Sequence, residues 1–184
     1  NEYFFEHEDL RTKMVSLLTH WDLGLSDIVV QQFDIPQSNG KTRKTTVSIG
    51  QHKSKNGRAF ALPMELESSG TQSAYVLLSY LLWILDAGGV ALMDEMESDL
   101  HPHLIPHILD LFANESTNPN GAQLIFTSLS QDVLGLLQKS QVMFVEKSEC
   151  ESQAYRGDDI QGLRADDNLR AKYDAGALGA VPRV

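Results

Sequence analysis

Two adjacent carboxylates, Asp94 and Glu95, directly follow the apolar run Val90–Met93. A buried strand that ends in acidic residues delivers them to the carboxyl edge of a sheet, where α/β proteins bind ligands. An Asp there can hold Mg²⁺ through its water shell, because Mg²⁺ takes few carboxylates. A Glu one residue further on points to the opposite side and can orient or deprotonate a water. This order predicts half of a nucleotide triphosphatase site; the alternative is a strand that ends in polar residues at the solvent.

A second candidate site is the small-residue turn Ser68-Ser69-Gly70-Thr71-Gln72, which precedes a long apolar segment. We expect Ser69 to cap a helix, and Gly70 to let a ligand approach the backbone closely. The free amides and positive end of that helix would favour a phosphate. A capped helix without a ligand is the alternative.

The phosphate-cradling half of such a site is not evident. Gly40-Lys41-Thr42 ends like a phosphate loop, but the first glycine of that motif falls on Ile35 and Pro36 interrupts it. Residues 45–49 then alternate like a strand, whereas the motif requires a helix. We interpret this segment as a hairpin turn. Because the chain starts at Asn1 and not at Met, we expect the missing half upstream.

Other polar clusters offer weaker chemistry. His101, His103 and His107 lie near the carboxylates, but only His103 and His107 share a helix face, so a zinc site is a minor alternative. Ser128, or Ser130, follows the next apolar strand and could supply one hydrogen bond to a ligand.

Charge and composition limit the classes of partner. The 184 residues carry a net charge of −10, which argues against non-specific nucleic-acid binding by the whole surface. Residues 41–58, however, contain six basic and no acidic side chains: Lys41, Arg43, Lys44, Lys53, Lys55 and Arg58. They predict either a solvated hairpin or a contact patch for nucleic acid or an acidic partner. Cys150 is the only cysteine, which fits a reducing cytoplasmic setting, and no apolar run is long enough to span a membrane.

Hydrophobic periodicity divides the chain into two patterns. A helix over residues 8–21 precedes three strands, 28–35, 45–49 and 58–62, which form a small antiparallel hairpin layer. Helices and strands then alternate: helix 71–86, strand 90–93, helix 102–112, strand 123–127, helix 131–138, strand 141–146, a short strand 153–155 and helix 166–175. This alternation predicts an α/β fold whose mostly parallel sheet is covered by helices on both faces.

Together these motifs resemble a known family. Residues 68–72 resemble the signature motif of ABC-type ATPase heads, residues 90–95 resemble their Walker B strand, and residues 98–102 resemble a D-loop ending in Leu-His-Pro. That form is typical of the soluble AAA/ABC ATPases of bacterial phage-defence and abortive-infection systems. Residues 123–128 resemble the switch strand, and residues 144–147, 163–170 and 179–182 resemble the C-terminus of RloA-like ATPases.

The resemblance implies the C-terminal lobe of an ABC-type ATPase head. Residues 1–26 would be a helix from the preceding lobe, residues 27–63 a hairpin insert and residues 64–184 the lobe itself. Such heads dimerise over two ATP molecules and control an effector, often a Toprim-type nuclease or another toxin. The implied site residues are Glu95 for catalysis, Asp94 for Mg²⁺, Ser69, Gly70, Thr71 and Gln72 for the γ-phosphate bound by the opposite subunit, Ser98 and Asp99 in the D-loop, and Ser128.

Three departures from the family pattern qualify these expectations. The Walker A and glutamine loops are absent, so this chain alone should hold ATP poorly. Leu129 stands at the switch-histidine position and predicts slow hydrolysis, while Asp99 adds charge to the D-loop. Two alternatives stay open: a nucleotide-gated scaffold that does not hydrolyse ATP, and a DNA-repair head of the SMC kind that uses residues 41–58 on DNA.

Overall fold

The structure is a computed structural model that describes residues 2–21, 23–38, 40–98 and 100–181. Asn39, which was predicted to lie in a turn, and Asp99, which was predicted to lie in a D-loop, are outside these ranges. The helices are α1 Glu2–Glu6, α2 Glu8–His20, α3 Ser69–Ala87, α4 Leu104–Ala113 and α5 Leu169–Asp174. The strands are β1 Asp27–Pro36, β2 Thr42–Lys53, β3 Ala59–Pro63, β4 Val90–Met93, β5 Gln123–Phe126, β6 Met143–Ser148 and β7 Glu151–Arg156. Internal contacts divide the chain into two units, Asn1–Phe126 and Thr127–Val184.

The first unit contains the predicted antiparallel layer, in the order β1-β2-β3. Register runs from Asp27 opposite Gln51 to Pro36 opposite Thr42, so β2 is longer than its apolar core suggested. Alternation buries Ile28 and Ser48 on one face of the sheet, as period-2 geometry requires. The hairpin layer is therefore a real structural element of this unit.

The core of the first unit lies between α2 and α3. Helix α2 buries leucines and a methionine at helical spacing and α3 buries leucines, with Met14, Leu18 and Leu78 fully buried. Helix α3 ends at Gly88, whose φ is +66°, and a Cβ there would approach the backbone oxygen of Asn120 to 2.6 Å. The side chain of Asn120 donates to the carbonyl of Asp86 at 2.8 Å. These contacts bring the start of β4 beside the start of β5.

Strands β4 and β5 form a parallel pair with Val90 opposite Gln123. The expectation that both faces of these strands are covered is wrong within the described chain. Leu92 is 75% exposed and Ile125 is 55% exposed, whereas Ala91, on the other face, is buried. A continuous apolar run is suited to burial on both faces, but the described elements cover only one.

The second unit packs β6 and β7 as an antiparallel hairpin over a core of its own. That core consists of Val142, Phe144, Leu163, Leu169 and Leu178. The described parallel pairing is thus that of β4 with β5, and β6 does not extend it as the alternation of elements had suggested.

Two helices predicted in the second unit are shorter than expected. Residues 131–138 form only a 3-10 turn, Gln131–Gly135, because short helices are marginal and Gly135 disfavours one further. A second such turn, Lys139–Gln141, replaces the predicted start of β6. Helix α5 begins after Asn168, whose side chain accepts the Ala171 amide at 3.0 Å. No helix in the described ranges has both the length and the apolarity to cross a membrane.

Candidate functional site

The N-terminus of α3 is capped by Ser68, so the expectation that Ser69 is the cap is wrong. The hydroxyl oxygen of Ser68 accepts the Thr71 amide at 3.2 Å and lies 2.8 Å from the Thr71 hydroxyl. Ser69 is instead the first helical residue. Because the first amides of a helix lack intrahelical partners, the amides of Ser69 and Gly70 are placed to bind a ligand or solvent.

The four predicted signature residues differ in exposure. Ser69 is exposed, and a Cβ added at Gly70 would meet no heavy atom within 4 Å. Thr71 is 3% exposed, and the Gln72 side chain donates to the carbonyl of Glu67 at 2.8 Å. Ser69 and Gly70 therefore present the accessible surface, while Thr71 and Gln72 hold the turn together.

A partly buried His–Glu pair joins the β-sheet to the loop before α3, which sequence analysis did not anticipate. His52 Nε2 lies 2.7 Å from Glu67 Oε1, and His52 Nδ1 lies 2.8 Å from the carbonyl oxygen of Gly24. The side chains are 13% and 6% exposed. Phe60 stacks on the imidazole at 4.7 Å, and a Cβ at Gly50 would come within 2.5 Å of the Glu67 carboxylate.

A second polar contact joins the same sheet to α3 further along the helix. The hydroxyls of Ser48 and Tyr75 lie 2.6 Å apart and both residues are buried. Burial raises the pKa of the Tyr75 phenol, although the hydrogen bond with Ser48 acts in the opposite direction. Strand β2 is thus tied to α3 at two levels.

Asp94 and Glu95 are both exposed at the carboxyl end of β4. Glu95 adopts φ +47°, in the left-handed region that non-glycine residues rarely occupy. The Ser98 amide donates to the Glu95 carbonyl at 2.8 Å, and the Ser98 hydroxyl donates to Glu95 Oε2 at 3.2 Å. A tight turn therefore holds the backbone of Glu95 in a strained conformation and fixes its carboxylate through Ser98. Backbone strain of this kind is common at functional residues.

The three histidines after this turn do not gather around a common point. His101 and His103 pair with their ring centres 5.0 Å apart, whereas His107 stacks on Trp21 at 6.4 Å. Among the residues that the structure describes, no three His, Cys, Asp or Glu side chains are arranged to hold a metal. These contacts favour aromatic packing over the zinc alternative.

Ser128 lies in the second unit. Its hydroxyl accepts the Ser130 amide at 3.1 Å, and the Ser130 hydroxyl in turn caps the 3-10 turn by accepting the Asp132 amide. Leu129, between them, is 81% exposed. The serines of this segment therefore serve local turn structure, and Leu129 presents an apolar side chain to the solvent.

The six basic residues form two groups in space. Lys41, Arg43 and Lys44 lie at the β1–β2 end of the sheet, and Lys53, Lys55 and Arg58 lie at the β2–β3 end. Strand β2 has 12 residues. At about 3.3 Å per residue, its two ends are about 36 Å apart. A segment that is continuous in sequence therefore provides two separate basic surfaces.

Comparison with known proteins places this geometry in a class. Nine solved chains match. One comes from a study entitled "Structural biochemistry of ATP-driven dimerization and DNA stimulated activation of SMC ATPases". It is 12% identical, with a TM-score of 0.56, and the match covers 95% of this chain and 96% of that one. The fold is similar to that of an ATPase head.

The particular family follows from the sequence. Residues 2–133 match the family described as "AAA domain, putative AbiEii toxin, Type IV TA system". The chain belongs to this AAA family, which confirms the resemblance to abortive-infection ATPases. No curated protein matches the chain.

Proposed function

We propose that this chain is the part of an ATP-hydrolysing AAA head that carries the metal-binding and water-activating carboxylates and the signature segment. The observation that supports this most directly is the pair Asp94 and Glu95, exposed at the end of a parallel strand, with Glu95 held at φ +47°. Parallel strands open their carboxyl ends onto ligand crevices. A merely solvated strand end would need no strained backbone.

The residues at this strand end fit a magnesium ion and its nucleotide. Asp94 would hold Mg²⁺ through coordinated water, since Mg²⁺ prefers oxygen ligands and retains part of its water shell. Bound Mg²⁺ neutralises charge on the phosphates. Glu95 would accept the proton of the attacking water, and Ser98, which donates to its carboxylate, would orient that group.

The signature segment would act on ATP bound by a second copy of the head. Ser69 and Gly70 would donate hydroxyl and amide hydrogen bonds to the γ-phosphate, aided by the positive end of α3. Thr71 and Gln72 would shape the segment through their internal hydrogen bonds. The related SMC structure, whose title names ATP-driven dimerization, supports assembly of this kind. We further propose that Asp99 belongs to the D-loop and that Ser128 lies at the end of the switch strand, near the nucleotide.

The domain assignment and biological role are proposed on the same basis. Residues 1–26 are assigned to a helix of the preceding lobe, residues 27–63 to a hairpin insert and residues 64–184 to the C-terminal lobe. The family description names a toxin and a toxin–antitoxin system. It supports a nucleotide-gated dimer in bacterial defence that controls an effector, with a Toprim-type nuclease as one candidate, in the cytoplasm.

The test is single-turnover ATP hydrolysis by the intact protein. We expect Glu95→Gln to slow the chemical step by about 10²- to 10⁴-fold, the usual contribution of a general base, with nucleotide binding retained. Glu115→Gln, which removes an exposed carboxylate outside the site, is the matched control and should leave the rate unchanged. An unaltered rate in Glu95→Gln would remove Glu95 from this role and favour the scaffold that does not hydrolyse ATP.

A second candidate function is a head that also binds DNA. The two basic groups on an otherwise acidic chain support it, together with the DNA-stimulated activation named for the related SMC ATPases. Basic side chains at both ends of β2 would contact phosphates without reading base sequence.

A further inference from the structure

The His52–Glu67 pair is the buried polar feature that the proposed ATPase chemistry leaves unexplained. His52 lies near the end of β2, and Glu67 lies in the loop between β3 and α3. Both side chains are largely withdrawn from solvent, at 13% and 6% exposure. Burying a carboxylate is costly unless it is paired and hydrogen-bonded. The pair therefore specifies how this loop sits against the sheet.

The hydrogen-bond partners of the His52 imidazole indicate which ring nitrogen carries a hydrogen. Nδ1 faces the carbonyl oxygen of Gly24, which can only accept, so Nδ1 carries a hydrogen. Nε2 faces the Glu67 carboxylate at 2.7 Å, so a second proton lies between Nε2 and Oε1. The contact is thus a direct hydrogen bond between the imidazole and the carboxyl group.

The neighbours of the bridge restrict its geometry. Phe60 stacks on the imidazole with an interplanar angle of 8°, which fixes the plane of the ring. Gly50, on β2, leaves the space that the Glu67 carboxylate occupies, since a Cβ would approach Oε1 to 2.5 Å. The Glu67 carboxylate is consequently positioned by the His52 imidazole and by the backbone of β2 at Gly50.

Glu67 connects this bridge to the start of α3. It directly precedes the cap residue Ser68, and its carbonyl accepts the Gln72 side chain at 2.8 Å. The side chain of Glu67 is tied to β2 while its backbone is tied to the first turn of α3. Rotation of the segment that begins at Ser69 would therefore require one of these two contacts to break.

We propose that His52 and Glu67 are positioning residues for the signature segment. They orient the amides of Ser69 and Gly70 toward the γ-phosphate held by a second copy of the head. This inference rests on the proposed function, because it gives that segment a ligand. The bridge acts before nucleotide arrives, by fixing the direction in which the helix presents its free amides, and pre-organised donors stabilise a developing charge without reorganising.

The variants separate the bridge from general packing. Glu67→Ala and His52→Ala each remove it. Glu67→Gln preserves a neutral bridge, because the amide can donate to Nε2 while Nδ1 still donates to Gly24. Tyr75→Phe is the matched control, since it removes a buried hydrogen bond between β2 and α3 that lies away from the first turn of the helix.

The experiment uses the intact protein without nucleotide and measures hydrogen exchange at the amides of Thr71 and Gln72, which donate to the hydroxyl and the carbonyl of Ser68. We expect exchange about tenfold faster in Glu67→Ala and His52→Ala, the factor for losing one hydrogen bond. Exchange should stay near wild type in Glu67→Gln and Tyr75→Phe, and the double alanine variant should be no faster than either single variant. Unchanged exchange in both alanine variants, or equal acceleration by Tyr75→Phe, would overturn the proposal.

A second readout links the bridge to chemistry. With ATP, the two alanine variants should lose about tenfold in ATP-dependent dimerisation and in kcat, with Glu67→Gln restoring both. Normal dimerisation and kcat in both alanine variants would contradict the positioning role. If the wild-type protein neither dimerises nor hydrolyses ATP, the proposed function fails, whereas the exchange experiment still decides whether the bridge orients the segment.

Discussion

At the scale of single residues, Glu95 combines an exposed carboxylate with a left-handed backbone. Such a conformation costs a side-chain-bearing residue about 1–3 kcal/mol. It persists here because the turn closed by Ser98 is anchored between β4 and the buried side chain of Met96. Stability alone would favour glycine at this position, which is consistent with a carboxylate retained for its chemistry.

Replacing Glu95 with glycine should separate stability from activity. Glycine adopts positive φ freely, so we expect Glu95→Gly to leave the free energy of unfolding unchanged or to raise it by about 1 kcal/mol. ATP hydrolysis should be lost. Glu95→Ala is the control, because it loses the carboxylate and keeps the strain. Denaturant unfolding measures the difference, and a glycine variant less stable than the alanine variant would contradict this account.

At the scale of elements, α5 is anchored by the residues that precede it. The carboxylate of Asp167 accepts the Arg164 amide at 2.7 Å and pairs with Lys172 at 2.9 Å. The backbone hydrogen bond from Arg164, followed by the hydrogen bond from Lys172, lowers the pKa of Asp167 below its usual 3.8. This cluster holds the turn at Arg164 against the first turn of α5.

The lowered pKa sets the sign of a pH dependence. A carboxyl whose folded pKa lies below its unfolded pKa contributes stability that is fully present above pH 3.8 and is lost as the pH falls through the lower folded value. We expect NMR titration of Asp167 to give a midpoint below 3.8. Asp167→Asn should reduce the stability of the second unit near neutral pH and flatten its decline in acid. A midpoint at or above 3.8 would refute the assignment.

At the scale of the whole molecule, the net charge is negative but the basic residues are clustered. The chain carries −10 overall, yet three basic side chains lie in or beside each end of β2. The separation of about 36 Å is close to one turn of duplex DNA, which is about 34 Å long. One duplex could therefore contact either end or both.

Salt dependence distinguishes these modes of DNA binding. If one end contacts about three phosphates, the slope of log K against log salt should be about −2.7, and if both ends do, about −5.4. If both ends bind, replacing either Lys41, Arg43 and Lys44 or Lys53, Lys55 and Arg58 by alanine should reduce the magnitude of the slope by about 2.7. If one end binds, only the triple variant at that end should do so. Binding by the intact protein can be followed by fluorescence anisotropy. A slope that neither triple variant changes would eliminate this candidate function.

Many features of the fold were predictable because their causes are local. The bounds of β4 follow from an apolar run between Gly89 and Asp94, and α2 follows from leucine and methionine at helical spacing. The adjacent carboxylates needed only their position after a strand. Sequence analysis did not predict the hairpin turn at Glu149–Cys150, because the turn lacks the usual asparagine and glycine. Both residues adopt positive φ in the structure.

The sequence by itself determined most of the helices and strands, that a carboxylate pair ends a strand, and which family the chain resembles. Only the tertiary structure decided that His52 meets Glu67, that the basic residues separate, and that the described elements cover only one face of β4 and β5. Periodicity and capping act over a few residues, so they can be recognised in sequence. Contacts between distant elements depend on which surfaces meet when the chain packs, and no local pattern encodes that choice.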